Sequence, residues 1–250
     1  MRLTVLGAGP AYSDREGASG ASYLVSDGDT HLLLDLGQGS LPRLFRALHP
    51  TALNAVIVSH LHPDHYIDLV PLRHYLRYEF DPPRRVRVLG PADLPNRLDA
   101  LHAYAGFSAE ALDTETLGEG ERVIGGLTVR GRLVAHTDES YAVRVAPIGG
   151  GAGLVYSGDC GRAADMAPLI HPGDTLLSEV SYGPGPVLRG VLHLDGPAVG
   201  ELAASARAGR VLLTHLQMGH DPDETLASVR ARFDGPVEFV WPGTQVELPG

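Results

Sequence analysis

The chain has 250 residues, 44% of them hydrophobic and 20% charged, which excludes a disordered or fibrous polymer and supplies ample length for a core within a single domain spanning 1–250. A formal net charge of −10 argues against a broad nucleic-acid footprint, because phosphate contacts need clustered Lys and Arg. No apolar run approaches the roughly 20 residues that span a bilayer, the first residues read as a strand rather than a signal peptide, and the single cysteine, Cys160, excludes an intrachain disulfide, so a cytoplasmic protein with no membrane partner is expected.

Residues 2–6 alternate as a strand and run into Gly7-Ala8-Gly9-Pro10-Ala11. That glycine turn is not a dinucleotide fingerprint, because Asp14, Gly17, Ser19 and Gly20 punctuate the stretch where a helix would have to open. Strands follow at 21–26 and 31–36, joined by an Asp27-Gly28 hairpin signal, and the second ends at the carboxylate Asp35. Helical spacing marks 40–48, 68–78 and 91–106, with strands at 54–59 and 85–89. Short strands are expected at 122–124, 127–135 and 141–146, and 149–153 reads as a glycine-rich hairpin loop. The remainder predicts strands at 154–159, 175–180, 211–215 and 237–241, and helices at 197–208 and 223–233. The two halves are loosely alike, with strands first and helices later, which suggests two mixed sheets with helices outside.

One stretch carries the chemistry. His60-Leu61-His62-Pro63-Asp64-His65 follows the apolar strand Ala55-Val56-Ile57-Val58. Alternate residues of an extended chain point the same way, so His60 and His62 can face one point, and the Pro63 turn can redirect Asp64 and His65 toward a second. Imidazole and carboxylate are the donors that zinc and related divalent metals prefer. His136, Asp159 and His215 each stand where another apolar strand stops, and ligands on separate strand ends can converge on one cleft.

The stretch His60–His65 fits the HxHxDH motif of the metallo-β-lactamase superfamily, and His136, Asp159 and His215 follow in that family's order and approximate spacing. The resemblance covers nearly the whole chain. It implies an α/β (α+β) fold, a four-layer αβ/βα sandwich, holding two divalent metal ions, with Zn2+ favoured over Mn2+ or Fe. Carried over residue by residue, His60, His62 and His136 would hold one metal, Asp64, His65 and His215 the other, and Asp159 would bridge them. Two cations so placed can lower the pKa of a water between them toward neutrality.

Two more residues look like positions of the ribonuclease Z-like phosphodiesterase branch. There a Glu on a late strand, matched by Glu179, orients a His before the next helix, matched by His193. A carboxylate-held imidazole can protonate a leaving oxygen. The resemblance departs from that branch after His193, where Leu194-Asp195 replaces the usual Ser-Thr. Only 23 positions separate His136 from Asp159, which leaves no room for a transfer-RNA-binding arm. The expectation is a metal-dependent hydrolase, a dinuclear phosphodiesterase acting on a cyclic nucleotide or other small phosphodiester, with Asp64, His193 and Glu179 catalytic. The alternatives are a lactone, thioester or β-lactam hydrolase and, behind it, a transfer-RNA 3′ processing endoribonuclease. A homodimer is expected by family analogy alone. The basic run Arg73, Arg77, Arg84, Arg85 and Arg87 reads as a solvated face, with a phosphate contact as the alternative. Asp35 could hydrogen-bond a metal-binding histidine, and His220 could line the cleft.

Overall fold

Fourteen strands divide equally between two mixed sheets in the computed structural model, which describes residues 1–249. In chain order the strands of the first sheet are β1 (Arg2–Gly7), β2 (Ser22–Asp27), β3 (Thr30–Leu34), β4 (Ala55–Ile57), β5 (Val86–Gly90) and β6 (Leu112–Thr116). The second contains β7 (Glu121–Ile124), β8 (Leu127–Leu133), β9 (Tyr141–Pro147), β10 (Leu154–Tyr156), β11 (Thr175–Glu179), β12 (Arg210–Thr214) and β13 (Val237–Phe239), while β14 (Gln245–Glu247) returns to pair with β1. Each sheet starts as antiparallel hairpins and continues as parallel strands, β3 to β6 in one and β10 to β13 in the other. Parallel neighbours need crossovers. Helices α1 (Leu41–Ala47), α3 (Leu69–Tyr78) and α4 (Leu94–His102), with the one-turn α2 (Pro63–Tyr66), make these for the first sheet, and α5 (Gly196–Ser205) and α6 (Pro222–Arg230) for the second.

Three apolar clusters define the layers. Leu3, Val25, Leu32, Ile57, Val143, Tyr156, Leu177 and Leu212 fill the space between the sheets. Leu44, Val56, Leu69, Leu72, Val88, Leu98 and Phe107 join the first sheet to its helices. Val155, Leu176, Val199, Leu202, Leu213 and Val229 do the same for the second. Central strands buried on both faces read as unbroken apolar runs, as Leu32-Leu33-Leu34 and Leu176-Leu177 do. The result is the αβ/βα sandwich expected from the sequence.

Differences are local. The expected helix over 91–106 stops at His102, because Ala103 turns left-handed and Asp99 caps the following turn by accepting from Gly106 and Ser108. Strand β6 falls where no element was expected. It is an edge strand, LDTET, whose outward carboxylates Asp113 and Glu115 pair with Arg85 and Arg87. The glycine-rich stretch after Pro147 is the hairpin turn between β9 and β10, as read from the sequence.

The basic run is tied into the fold. Arg73 is buried, donates to Phe107 O and Glu110, and lies 4.1 Å over the Phe107 ring. Arg77 also pairs with Glu110, and Arg84 lies over Phe80.

A second buried pair, Arg144 and Asp174, ties β9 to the start of β11. Asp174 also accepts from Gly153 N and His171 N. Burial would push its carboxyl up, but these donors, Arg144 first, hold it below the usual carboxylate range. Asp174→Ala leaves a buried guanidinium unpaired and is expected to cost about 3–5 kcal/mol in denaturant unfolding. A depressed folded-state pKa contributes stability above the unfolded carboxylate pKa and loses it as pH falls through the folded value. The difference between wild type and variant therefore holds at neutral pH and shrinks only in acid.

Candidate metal centre

The site forms where strands of both sheets end at the same edge of the sandwich. His60, His62, Asp64 and His65 follow β4, His136 follows β8, Asp159 follows β10, and His215 follows β12. Glycines admit the backbone here. A Cβ on Gly37 would lie 1.8 Å from Asp64 O, so the loop after β3 can pass the motif only without a side chain. Gly158 takes φ 55°, which turns the chain so that Asp159 enters the site. His215 and Asp35 adopt the same left-handed region without being glycine, with φ 58° and 59°, a backbone strain typical of sites held by their surroundings.

The donors separate into two groups around one carboxylate. His60, His62, His136 and Asp159 offer atoms within 4.8 Å of one another, and so do Asp64, His65 and His215. Asp159 Oδ2 lies 3.8 Å from His60 Nε2 and 3.6 Å from His136 Nε2. Its Oδ1 lies 3.3 Å from His65 Nε2 and 3.5 Å from His215 Nε2. Asp64 Oδ2 approaches His215 Nε2 at 3.2 Å. The structure thus brings together all seven residues singled out in the sequence.

The far nitrogen of four imidazoles is already engaged. His65 Nδ1 donates to Asp35 Oδ2 at 2.7 Å, and His136 Nδ1 donates to Leu192 O at 2.7 Å. Ser59 Oγ donates to Asp35 Oδ2 and lies 3.1 Å from His60 Nδ1, whose N–H it can accept. Ser181 Oγ donates to Glu179 Oε2 and lies 3.0 Å from His215 Nδ1, which it can accept in the same way. Each bond leaves the other nitrogen with its lone pair toward Asp159. Such partners fix tautomer and ring orientation at metal sites.

What those lone pairs face is the test of fit. His60 Nε2, His65 Nε2 and Asp159 Oδ1 are buried with no hydrogen-bond partner, and His136 Nε2 stands 3.1 Å from His62 Nδ1. Orphaned buried acceptors are costly unless a cation satisfies them. Burial, then His65, holds the His60 imidazole well below its ordinary pKa, so it is a neutral donor. Burial acts the same way on His65 and His215, but the Asp159 carboxylate beside both outweighs it and raises them. Burial would raise Asp159, yet His215 and His65 hold it well below the usual carboxylate range. The carboxylate thus draws positive charge toward itself, which a bound cation would supply in place of protons on the imidazoles.

Glu179, at the end of β11, is fully buried and lies 3.0 and 3.2 Å from His193 Nδ1 through its two oxygens. Cys160 N, Ser181 N and Ser181 Oγ also donate to it. With both oxygens so occupied it is a hydrogen-bond acceptor rather than a metal ligand, although it lies within ligand distance of Asp159 and His193. Burial opposes a charged His193, but the bond to Glu179 outweighs it and the imidazole pKa is raised. His193 lines a cleft of about 300 Å³ with Asp64, Asp159, His215, His62, Tyr12 and Gln217.

A domain model described as a β-lactamase superfamily domain matches residues 30–216, which include every one of these donors. The chain belongs to the β-lactamase superfamily. Relatives cover its length. An uncharacterised protein of Mycobacterium leprae is 36% identical over 99% of this chain and 89% of its own. The probable metallo-hydrolase YhfI of Bacillus subtilis is 28% identical over 97% of this chain and 100% of its own, and its crystal structure superposes with a TM-score of 0.86 at 25% identity, covering 98% of this chain and 99% of that one. Ribonuclease Z of Myxococcus xanthus is 26% identical over 100% of this chain and 98% of its own. The superfamily fold and a metallo-hydrolase character follow from these matches and the donor geometry together.

Three supporting residues escaped the sequence reading. Ser59, Tyr156 and Ser181 are small or aromatic strand-end residues of ordinary appearance, yet Ser59 and Tyr156 donate to Asp35 while Ser181 joins Glu179 to His215. No spacing signal marked Ser181, which stands in the turn that follows Glu179. Asp35 does bond His65, as expected. His220 instead packs against Tyr182 and Gly183. Cys160 is buried inside, its thiol pushed up to about 12 by burial, and is no ligand. Asp35→Asn keeps the shape and tolerates the left-handed backbone. It removes a negative acceptor of four donors, so metal retained after dialysis, measured by elemental analysis, is expected to show affinity lower by about 10–100-fold.

Proposed function

We propose that this metallo-hydrolase is a dinuclear-metal phosphodiesterase acting on a cyclic nucleotide or other small phosphodiester. One observation carries the reading. A further imidazole, His193, is held through Nδ1 by a buried carboxylate and faces the cleft beside, but outside, the two donor groups. Lactone or β-lactam opening needs an activated water and charge stabilisation, which the donor groups alone could serve. A dedicated proton donor matters most when the departing group is a poor-leaving alkoxide.

His60, His62 and His136 would hold one metal, and Asp64, His65 and His215 the other, with Asp159 shared between them. Zn2+ suits these mixed nitrogen and oxygen donors, with Mn2+ or Fe as alternatives. Bound cations would supply an acidified water and neutralise charge on the phosphoryl oxygens. Asp64 has one oxygen turned to His215, and its position in the cleft lining lets it accept a hydrogen bond from the attacking water and orient it. His193 donates its Nδ1 proton to Glu179, and in its charged form it also carries a proton at Nε2, which it gives to the departing oxygen. Glu179 fixes the ring's orientation and stabilises that charged form. Support from relatives is coarser: the match to a ribonuclease Z places a nuclease among the chain's relatives. The acidic surface and the paired arginines favour a small substrate over transfer RNA. A lactone, thioester or β-lactam substrate is the alternative, in which His193 and Glu179 would play no part.

Metal-loaded protein is expected to hydrolyse bis-(4-nitrophenyl) phosphate, and chelator-treated protein to lose that activity until metal returns. Robust turnover of lactones or thioesters with none of the phosphodiester would contradict the reading. Loss of a general acid costs about 10²–10⁴ in rate. His193→Ala should therefore lower kcat for an alkyl-leaving phosphodiester by that order while metal content stays at the wild-type level. The loss should be much smaller for 4-nitrophenolate, which needs no protonation.

A further inference from the structure

The cleft has a charged floor and an apolar mouth. Tyr12 lines it and is 70% exposed. Met218, 47% exposed, follows the lining residue Gln217, and Leu192, 41% exposed, precedes the lining residue His193. Single exposed apolar side chains are common on protein surfaces. Here Pro10, Ala11, Tyr12 and Pro63 give the cleft an apolar side, and Leu192 and Met218 adjoin lining residues on two further loops.

Their backbones are fixed. Gln38 Nε2 donates to Ala11 O at 3.3 Å, and Gly9 N to Ser19 O at 2.8 Å, which hold the loop carrying Tyr12 at both ends. Arg15, farther along that loop, donates to Leu216 O at 2.9 Å and His220 O at 3.3 Å, so it clasps the loop carrying Met218. Leu192 O accepts from His136, and a Cβ on Gly161 would come within 2.7 Å of the Leu192 backbone, so that loop is seated as well. The loops around the rim of the cleft are therefore seated by these contacts, and Tyr12 is the most exposed apolar residue among them. Rigid aromatic side chains offer contact area at low entropic cost.

We propose that this rim is a subsite for a flat, apolar group on the non-departing ester of the substrate, with Tyr12 as its main contact and Met218 and Leu192 beside it. The inference rests on the phosphodiesterase reading and narrows its substrate class to phosphodiesters that carry an aromatic ring or heterocyclic base. A cleft of about 300 Å³ accommodates the phosphoryl group and leaves a ring to lie at the mouth. Tyr12 is then a specificity residue that takes no part in the chemistry.

The test compares methyl 4-nitrophenyl phosphate with phenyl 4-nitrophenyl phosphate, which share a leaving group and differ only in the group assigned to the rim. Wild type should favour the phenyl ester by about ten-fold in kcat/KM, chiefly through KM. Tyr12→Ala should bring the two esters within about two-fold of each other by loss on the phenyl ester, and Tyr12→Phe should keep the preference. Equal treatment of the esters by wild type, or a preference that survives Tyr12→Ala, overturns the assignment. Calorimetric binding of phenylphosphonate and methylphosphonate to metal-loaded wild type and Tyr12→Ala judges the rim without turnover. If neither ester is hydrolysed, the phosphodiesterase reading fails, while a phenylphosphonate advantage that disappears in Tyr12→Ala still upholds the aromatic subsite and its absence removes it.

Discussion

A single buried carboxylate organises this molecule's working edge. Asp159 is 3% exposed, and its two oxygens face different pairs of imidazoles, His60 with His136 and His65 with His215. An isolated buried anion is costly, and so are imidazoles whose lone pairs point into the same dry space. Neither set is tolerable alone. Together, around a bound cation, each would relieve the other. The orphaned atoms His60 Nε2, His65 Nε2 and Asp159 Oδ1 mark where that relief must come from. Most of the surrounding hydrogen bonding follows from this constraint, because each donor must be turned inward by a partner on its far side.

The fold meets the constraint with strand ends. Two sheets of the same construction face each other, and their parallel strands β3, β4, β10, β11 and β12 finish at one edge. Asp35, His60, Asp159, Glu179 and His215 stand at or just beyond those ends. The apolar residues before them, such as Leu32-Leu33-Leu34 and Val211-Leu212-Leu213, are fully buried and hold each polar residue at a fixed height. The supporting contacts also join the parts. Glu179 reaches Cys160 N beside Asp159, Ser181 beside His215, and His193. Leu192, next to His193, accepts from His136. The segment bearing the proposed proton donor is thereby tied to both donor groups, so its position and theirs are set together.

Legibility in the sequence tracked physical distinctiveness. The donor cluster was readable because three histidines and an aspartate in six positions after an apolar strand have few structural uses, and because a polar residue at a strand end interrupts an otherwise apolar pattern. The central strands were readable for the same reason. Strand β6 was not, since an edge strand with Asp113 and Glu115 facing outward has the composition of a loop and gains its order from Arg85 and Arg87, which lie elsewhere in sequence. The arginine run looked like one surface feature, but its members turn to different partners, and Arg73 is buried beneath Phe107 and Tyr78. Ser59, Tyr156 and Ser181 carried no chemical signature of their own. Their roles exist only once Asp35 and Glu179 are brought to the histidines by folding.

The central claim is that Asp159 divides one cluster of donors into two metal positions that depend on it. Calorimetric titration of metal-free protein with Zn2+, checked by elemental analysis of the dialysed complex, tests it most directly. Wild type should take up two equivalents per chain, and Asp159→Ala, if folded by circular dichroism, should lose tight binding at both. One equivalent in the wild type, or two retained after Asp159→Ala, would contradict the account.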